Sequence, residues 1–264
     1  MSGSLPFGAL GRLAWRNLWR NYRRTLVMLL AIAVGVWAMI FMTALMRGMV
    51  DQMVEDGIDA LPGYVQVHHP TFRDDPSIVN RIPMPDATFA EALDTPEVKS
   101  WTARVRVPAM ISSERESRGV TLLGVDPPGE VELGFDPDDI VAGRWLQGPS
   151  DTGLVVGRKL LERLETDLGK RVVLMSQDPD NDIADRGFRV VGVYRASLPA
   201  LEETFVYAGR STAQEMLRIT GEISEIAIRG HDYRDVDGLV ASVSAAAGNG
   251  VEVLPWMELD PYLS

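Results

Sequence analysis

Between Thr25 and Met46 the chain reads TLVMLLAIAVGVWAMIFMTALM, 22 residues without a charge. No other feature limits its folding so tightly. A helix of that length rises about 33 Å, close to the roughly 30 Å hydrocarbon core of a bilayer. Ten of the 22 side chains are Leu, Ile, Val or Phe. At central positions they favour insertion by about 3 to 6 kcal/mol, with no charge opposing them. A cleaved signal has a shorter apolar region followed by small residues. Here Ala31-Ile32-Ala33 falls inside the run, not after it. A soluble core helix of this length would carry a polar face. The sequence therefore predicts a transmembrane helix over 25–48.

Arginine placement orients it. Arg12, Arg16, Arg20, Arg23 and Arg24 precede the run, Arg47 follows it, and residues 1–50 hold no acid. The excess of positive charge before the run puts the N-terminus in the cytoplasm. The body is then expected outside, in the periplasm of a cell with two membranes. That body holds all 37 acids and 20 of the 26 bases, a net charge of −17. Such a surface repels nucleic-acid phosphates. The chain has no cysteine, which excludes disulfides and thiol chemistry.

Segment 1–24 is expected to form an interfacial amphipathic helix. Over residues 10–24, Arg12, Arg16, Arg20, Arg23 and Arg24 share one arc, and Trp15, Leu18, Trp19 and Tyr22 share another. Basic residues beside aromatic ones suit the lipid headgroup layer. The segment is then either a flanking anchor or an elbow coupled to cytoplasmic machinery. Within the span, Ala31 and Gly35 form a small-xxx-small pair that lets a second helix approach.

Residues 51–264 read as mixed α and β. Alternation predicts strands at 63–69, 101–112, 119–125, 188–196, 203–208, 224–230 and 251–255. Residues 71–87, rich in Pro and Asp, read as loop, and 87–94 as a short helix. DPPGEVELGFDPDD (126–139) reads as a turn-rich boundary. In 153–177 a strand, a helix and a strand follow one another. The helix is marked by Leu160, Leu161, Leu164 and Leu168 and closed near Gly169. Residues 178–187 read as an acidic turn across which 188–196 pairs back. Ser211 is a candidate cap for the next helix, and 235–248 is another helix. The tail, strand–helix–strand–helix–strand, suggests a compact α/β unit packed with the first strands after the span.

Catalytic signatures are missing. Gly169-Lys170 lacks the earlier glycine and the following Ser or Thr of a phosphate loop, those positions being Leu164 and Arg171. Neither G-x-S-x-G nor G-x-G-x-x-G occurs. His68 and His69 are adjacent on a predicted strand, so they point to opposite faces and suit one metal poorly. Asp178, Asp180 and Asp182 copy the first calcium-loop positions, but Ile183 and Arg189 stand where Gly and Glu are required. This stretch reads as a solvated hairpin tip. Asp138-Asp139 and Glu202-Glu203 read as surface. No cofactor and no metal is expected, and a binding or mechanical role outweighs an enzyme.

The order of these pieces resembles a known family. LAWRNLWRNYRRT entering an apolar span looks like the start of an FtsX/MacB/LolC-type ABC transporter permease. IVAGRWL (140–146), GLVVGRKLLERLETDLGKRVVL (153–174), FRVVGVYRA (188–196) and VYAGRSTAQEML follow in the family's order. The resemblance implies an α+β fold with a two-part periplasmic domain. A Porter-like part would take 49–112 and 197–264, and an inserted, β-rich Sabre-like part 113–196. It implies no ATPase in this chain, a cytoplasmic ABC ATPase subunit as partner, a second permease protomer, and a bacterial inner-membrane location. ATP-driven helix motion would be passed to a lipoprotein, lipid, peptide or other envelope substrate.

Relatives carry three more spans after the outer domain, and this sequence stops at WMELDPYLS, about where the second would begin. The expectation is a fragment or a truncated relative. Lipoprotein-releasing relatives hook a periplasmic chaperone with a hairpin in the inserted part, which resemblance places at Met175–Phe188. Gln177, Asp178, Asp180, Asn181, Asp182 and Asp185 make it acidic and, by sequence, without an apolar tip. A basic partner is expected there. Two other readings compete with the permease: a stand-alone, membrane-anchored binding or sensor module, and an extracytoplasmic hydrolase, for which no convergent titratable cluster is visible.

Overall fold

The computed structural model describes residue 15 and residues 20–60, 63–196, 198–248 and 250–259, with the side chains of 52–60 excepted. Arg12, Arg16 and Trp19 lie outside the described residues. The chain divides into two units, Met1–Val54 and Glu55–Ser264.

The first unit is dominated by α1 (Tyr22–Ala60), 39 residues long, whose residues after Val54 belong to the second unit. It contains the whole of 25–48 but does not end at 48 as expected. No proline interrupts it, and Gly48 and Gly57 each weaken it by only about 1 kcal/mol. Tyr22–Asp51 is long and apolar enough to cross a membrane. Its large apolar side chains are exposed on every face from Leu26 to Val50. Lipid satisfies such a surface and water does not. The Thr43 hydroxyl donates to the Met39 carbonyl at 2.8 Å, so the polar group is satisfied inside the helix.

The second unit contains β1 (Val65–His68), β2 (Ile82–Pro83), α2 (Ala87–Ala92), β3 (Ser100–Ser112), β4 (Ser117–Val125), α3 (Pro127–Leu133) and β5 (Ile140–Gly143). β6 (Gly153–Gly157), α4 (Arg158–Arg163), β7 (Arg171–Gln177), β8 (Ile183–Tyr194), α5 (Pro199–Thr204) and β9 (Phe205–Gly209) follow. The remainder is α6 (Arg210–Leu217), β10 (Glu222–Ile223), β11 (Glu225–Arg229), α7 (Asp237–Ala247), β12 (Glu252–Pro255) and α8 (Trp256–Leu259).

Four expectations change. The 126–139 segment is not all turn: Pro127 and Pro128 open α3, where a missing N–H costs nothing, and Gly134 closes it. The leucine-marked helix stops at Arg163 rather than near Gly169, and Leu168 is exposed. Ser211 is not a cap, because α6 begins at Arg210 with Gly209 before it. β9 does not pair with the tail strands. It lies between β4 and β6.

β3 organises the sheet. Its first part, Ser100–Arg104, pairs with β11, which continues through β1 to β12. Its second part, Val105–Ser112, pairs with β4, and Met110–Ser112 also pair with β7. From β4 the pairing runs through β9, β6, β8 and β7 back to β3. Six strands thus close a ring, which leaves none of them a bare edge at these pairings. On one strand face Leu123, Val125, Val155, Tyr194, Phe205 and Tyr207 form a buried cluster. Phe135 and Trp145 stack beside it at 4.0 Å. The alternate residues Leu122, Leu154, Val156 and Val206 are buried on the opposite face.

Candidate functional site

β3 is shared by both halves of the sheet, and the place where it changes partners holds most of the unusual chemistry. Register aligns His68 on β1, Glu225 on β11 and Arg104 on β3, so the three project from one face. α3 packs over part of that face. Arg104 Nε and a terminal nitrogen each donate to Glu130 of α3 at 2.7 Å. Glu225 lies 3.7 Å from Arg104 and 3.5 Å from Arg106. Its two oxygens accept no hydrogen bond among the described residues. Burial opposes the charge on Arg104, but Glu130 and then Glu225 outweigh it and hold the guanidinium above its ordinary range. Burial, aided by Glu130, likewise raises the Tyr207 hydroxyl.

Between Arg104 and Met110, β3 has no ladder on the β11 and β7 side. Side chains replace it. The Arg106 N–H donates to Ser224 Oγ at 2.9 Å, and that hydroxyl donates to the Arg106 carbonyl at 3.0 Å. Ser176 Oγ donates to the Pro108 carbonyl at 2.7 Å. Pro108 has no N–H to satisfy, which is why proline is tolerated in mid-strand here. The fork opens into a groove of about 290 Å³. Val107, Pro108, Ala109, Met110 and Met175 line it, the 77–79 loop flanks it, and Gln177, Asp178 and Asn181 close one end.

That end is the expected acidic hairpin. β7 and β8 pair from Arg171–Arg189 to Gln177–Ile183. Asp178 does not point into solvent: it is buried, and its Oδ1 accepts from the N–H groups of Asp180 and Asp182 at 3.0 and 2.9 Å. Its Oδ2 pairs with Arg218 at 2.9 Å, fixing the turn to α6. Gln177, Asp180, Asn181, Asp182 and Asp185 are exposed. The tip is not free of apolar surface, since Ile183 is 74% exposed. Sequence reasoning missed Val79, Met110 and Met175. The signal available was Pro108 inside an alternating strand, which marks an interrupted ladder.

The histidines do not converge. His68 Nδ1 lies 2.9 Å from the His69 carbonyl, and His69 Nδ1 lies 2.7 Å from Thr71 Oγ1. Of the expected anchor residues, Trp15 and Arg20 are helical and exposed, and Arg23, Arg24, Ala31 and Gly35 lie on α1. Arg23 Nε donates to the Tyr22 hydroxyl at 3.2 Å.

Residues 25–246 match the profile of the MacB-like periplasmic core domain. The chain belongs to that family. The family is one of ABC transporter permeases, which work in complexes with a cytoplasmic ATPase. The periplasmic region of MacB from Actinobacillus actinomycetemcomitans superposes with a TM-score of 0.50 at 17% identity. The match covers 77% of this chain and 94% of that one, and it shows a shared fold. The extracellular domain of the noncanonic ABC-type transporter YknZ from Gram-positive bacteria gives 0.49 at 13% identity, over 72% and 98%. No curated protein matches the chain.

As a MacB-like core domain, the chain shows why its glycine motifs are spaced as they are. A Cβ on Gly157 would overlap the backbone of Glu202. The close approach lets the buried Glu202 carboxylate accept from the Lys159 N–H at 3.1 Å and the Ala196 N–H at 3.2 Å. Gly143 has φ +78°, and a Cβ there would overlap the Val191 carbonyl. The glycines hold β5, β6 and β8 against their neighbours. A MacB-like periplasmic core domain together with an apolar, membrane-length helix has the layout of a membrane-anchored protein.

Proposed function

We propose that this chain is the N-terminal portion of an ABC transporter permease that passes ATP-driven motion to an envelope substrate. The observation that carries the reading is the family match beginning at residue 25, inside the apolar helix, and running on through the body. ATP hydrolysis then belongs to a separate cytoplasmic subunit, and this chain is non-catalytic.

In this reading the N-terminus lies in the cytoplasm and the body in the periplasm, at the bacterial inner membrane. Arg12, Trp15, Arg16, Trp19, Arg20, Arg23 and Arg24 hold the headgroup layer. Ala31 and Gly35 face a neighbouring helix, for which a second permease protomer is the natural source. The unbroken Tyr22–Ala60 helix suits a lever, because a displacement at one end is carried along its hydrogen bonds. The body works in two parts. One is Porter-like, around β1, β11 and β12. The other is Sabre-like, over 113–196.

Copurification from detergent tests the reading. The product of the whole gene, tagged at the body, is expected to bring down a nucleotide-binding subunit. Recovery of the permease alone, under conditions that keep a known permease–ATPase pair together, contradicts it.

A further inference from the structure

We infer that the groove at the fork of the sheet is a docking site for a cationic amphipathic peptide segment. The segment would seat an aliphatic side chain in the groove and place Lys or Arg on its rim. This does not depend on the transporter reading, because it rests on the folded body alone.

The floor is apolar and carries no spare backbone pairing. Along β3 the groups of Arg106 and the Pro108 carbonyl are already taken by Ser224 and Ser176. An added β-strand would therefore find no ladder, and side-chain burial must supply the affinity. Met110 and Val79 are 48% and 49% exposed across the groove, and Ile183 stands exposed at the turn beside it. A volume of about 290 Å³ holds one or two aliphatic side chains, at the lower end for a ligand pocket. Methionine adapts to different shapes of apolar guest.

The rim selects charge. Asp74 and Asp75 precede the 77–79 loop, and Asp180, Asp182 and Asp185 belong to the hairpin. All five are exposed, and none meets a cation in an ion pair among the described residues. Asp178, by contrast, is neutralised by Arg218, and Glu222, beyond the loop, by Arg81. Asp75 already accepts from Ser77 and Asn80, and the exposed Arg73 offsets Asp74. The charge is therefore set by Asp180 and Asp182, which flank Asn181 of the lining, and by Asp185 opposite Met175. These oppose an anionic or acyl-carboxylate guest and attract a cationic one.

Full-length protein in zwitterionic nanodiscs tests this. The probe is a short lysine–leucine peptide bearing a benzophenone, with empty nanodiscs as background. Benzophenone inserts readily at methionine, and Met257 is a second exposed body methionine remote in sequence. Crosslinks are expected at Met110 and Met175, about tenfold over Met257. Met110→Ser should weaken binding about tenfold, as loss of a central apolar anchor does. Asp182→Asn and Asp185→Asn should each weaken it about threefold and flatten its salt dependence. Leu198→Ser, away from the groove lining, should leave it unchanged. Crosslinks that favour Met257 or the methionines of α1 overturn the inference. So does equal binding of a lysine–serine peptide or a glutamate–leucine peptide. A failure here leaves the ATPase copurification untouched.

Discussion

Arg104 and Glu130 face each other in a two-point ion pair at 2.7 Å, with each side chain only 3% exposed. The pair ties α3 to β3 at the point where the two halves of the sheet share a strand. Removing Glu130 takes away both hydrogen bonds of the pair and leaves the buried guanidinium facing Glu225 at 3.7 Å. Glu130→Gln is therefore expected to cost about 3 kcal/mol or more in chemical unfolding. Replacing all three buried charges, Arg104→Met with Glu130→Leu and Glu225→Gln, should recover a large part of the loss, because Glu225 is also buried against Arg104. Equal destabilisation by the single and triple variants would show that packing, and not charge, governs this joint.

Gly157 lies under the Glu202 backbone. Gly157→Ala forces β6 and α5 apart and is expected to cost about 1 to 3 kcal/mol. Gly119→Ala is the control, because open space surrounds a Cβ there. Thermal melts of the two variants should separate clearly.

Little of this joint was visible in the sequence. TARVRV and SEIAIR alternate, and nothing local in them marks Arg104 and Glu225 as buried charges. The structure covers part of their face with α3, which itself hid behind Asp126-Pro127-Pro128-Gly129 and its resemblance to a turn. Strands were legible because alternation is a local signal. The span was legible because 22 uncharged residues leave few alternatives. The ring was not, because the pairing of β9 with β4 and β6 joins residues about 80 and 50 positions apart and has no local signature. Asp178 looked like one more exposed acid of the tip. Its burial rests on the N–H groups of Asp180 and Asp182 and on Arg218, 40 positions away, and the last has no local signature.

Asp151 gives the body an acid-sensitive point. Burial disfavours its charge, but hydrogen bonds from Arg144, Gln147 and Gly153 outweigh this and lower its pKa. A lowered carboxylate stabilises the fold above its unfolded pKa, near 3.9. That contribution is lost as pH falls through the folded value. Asp151→Asn should cost about 1 to 3 kcal/mol at neutral pH and less at pH 3. Unfolding curves across that range check it. A variant whose deficit grows in acid would reverse the assignment.

Arg218 is 65% exposed while its partner Asp178 is 1% exposed. Arg218→Ala leaves a buried carboxylate with only its two turn N–H groups, a larger loss than the about 1 kcal/mol of a fully exposed pair. The loss should fall first on the turn, which is released from α6. Hydrogen exchange of the Asp180 and Asp182 amides is expected to accelerate while that of β6 does not. Unchanged exchange at the turn would mean that the Asp178 hydrogen bonds alone hold it.

The central claim is that α1 crosses a bilayer with the acidic body on the far side from the cytoplasm. The chain has no cysteine, so single cysteines report topology without background. Ser4→Cys and Glu114→Cys should be probed with a membrane-impermeant maleimide on spheroplasts. Labelling at 114 in intact spheroplasts, and at 4 only after lysis, is the predicted result. Labelling at 4 with protection at 114, or release of the protein by a carbonate wash, contradicts the account.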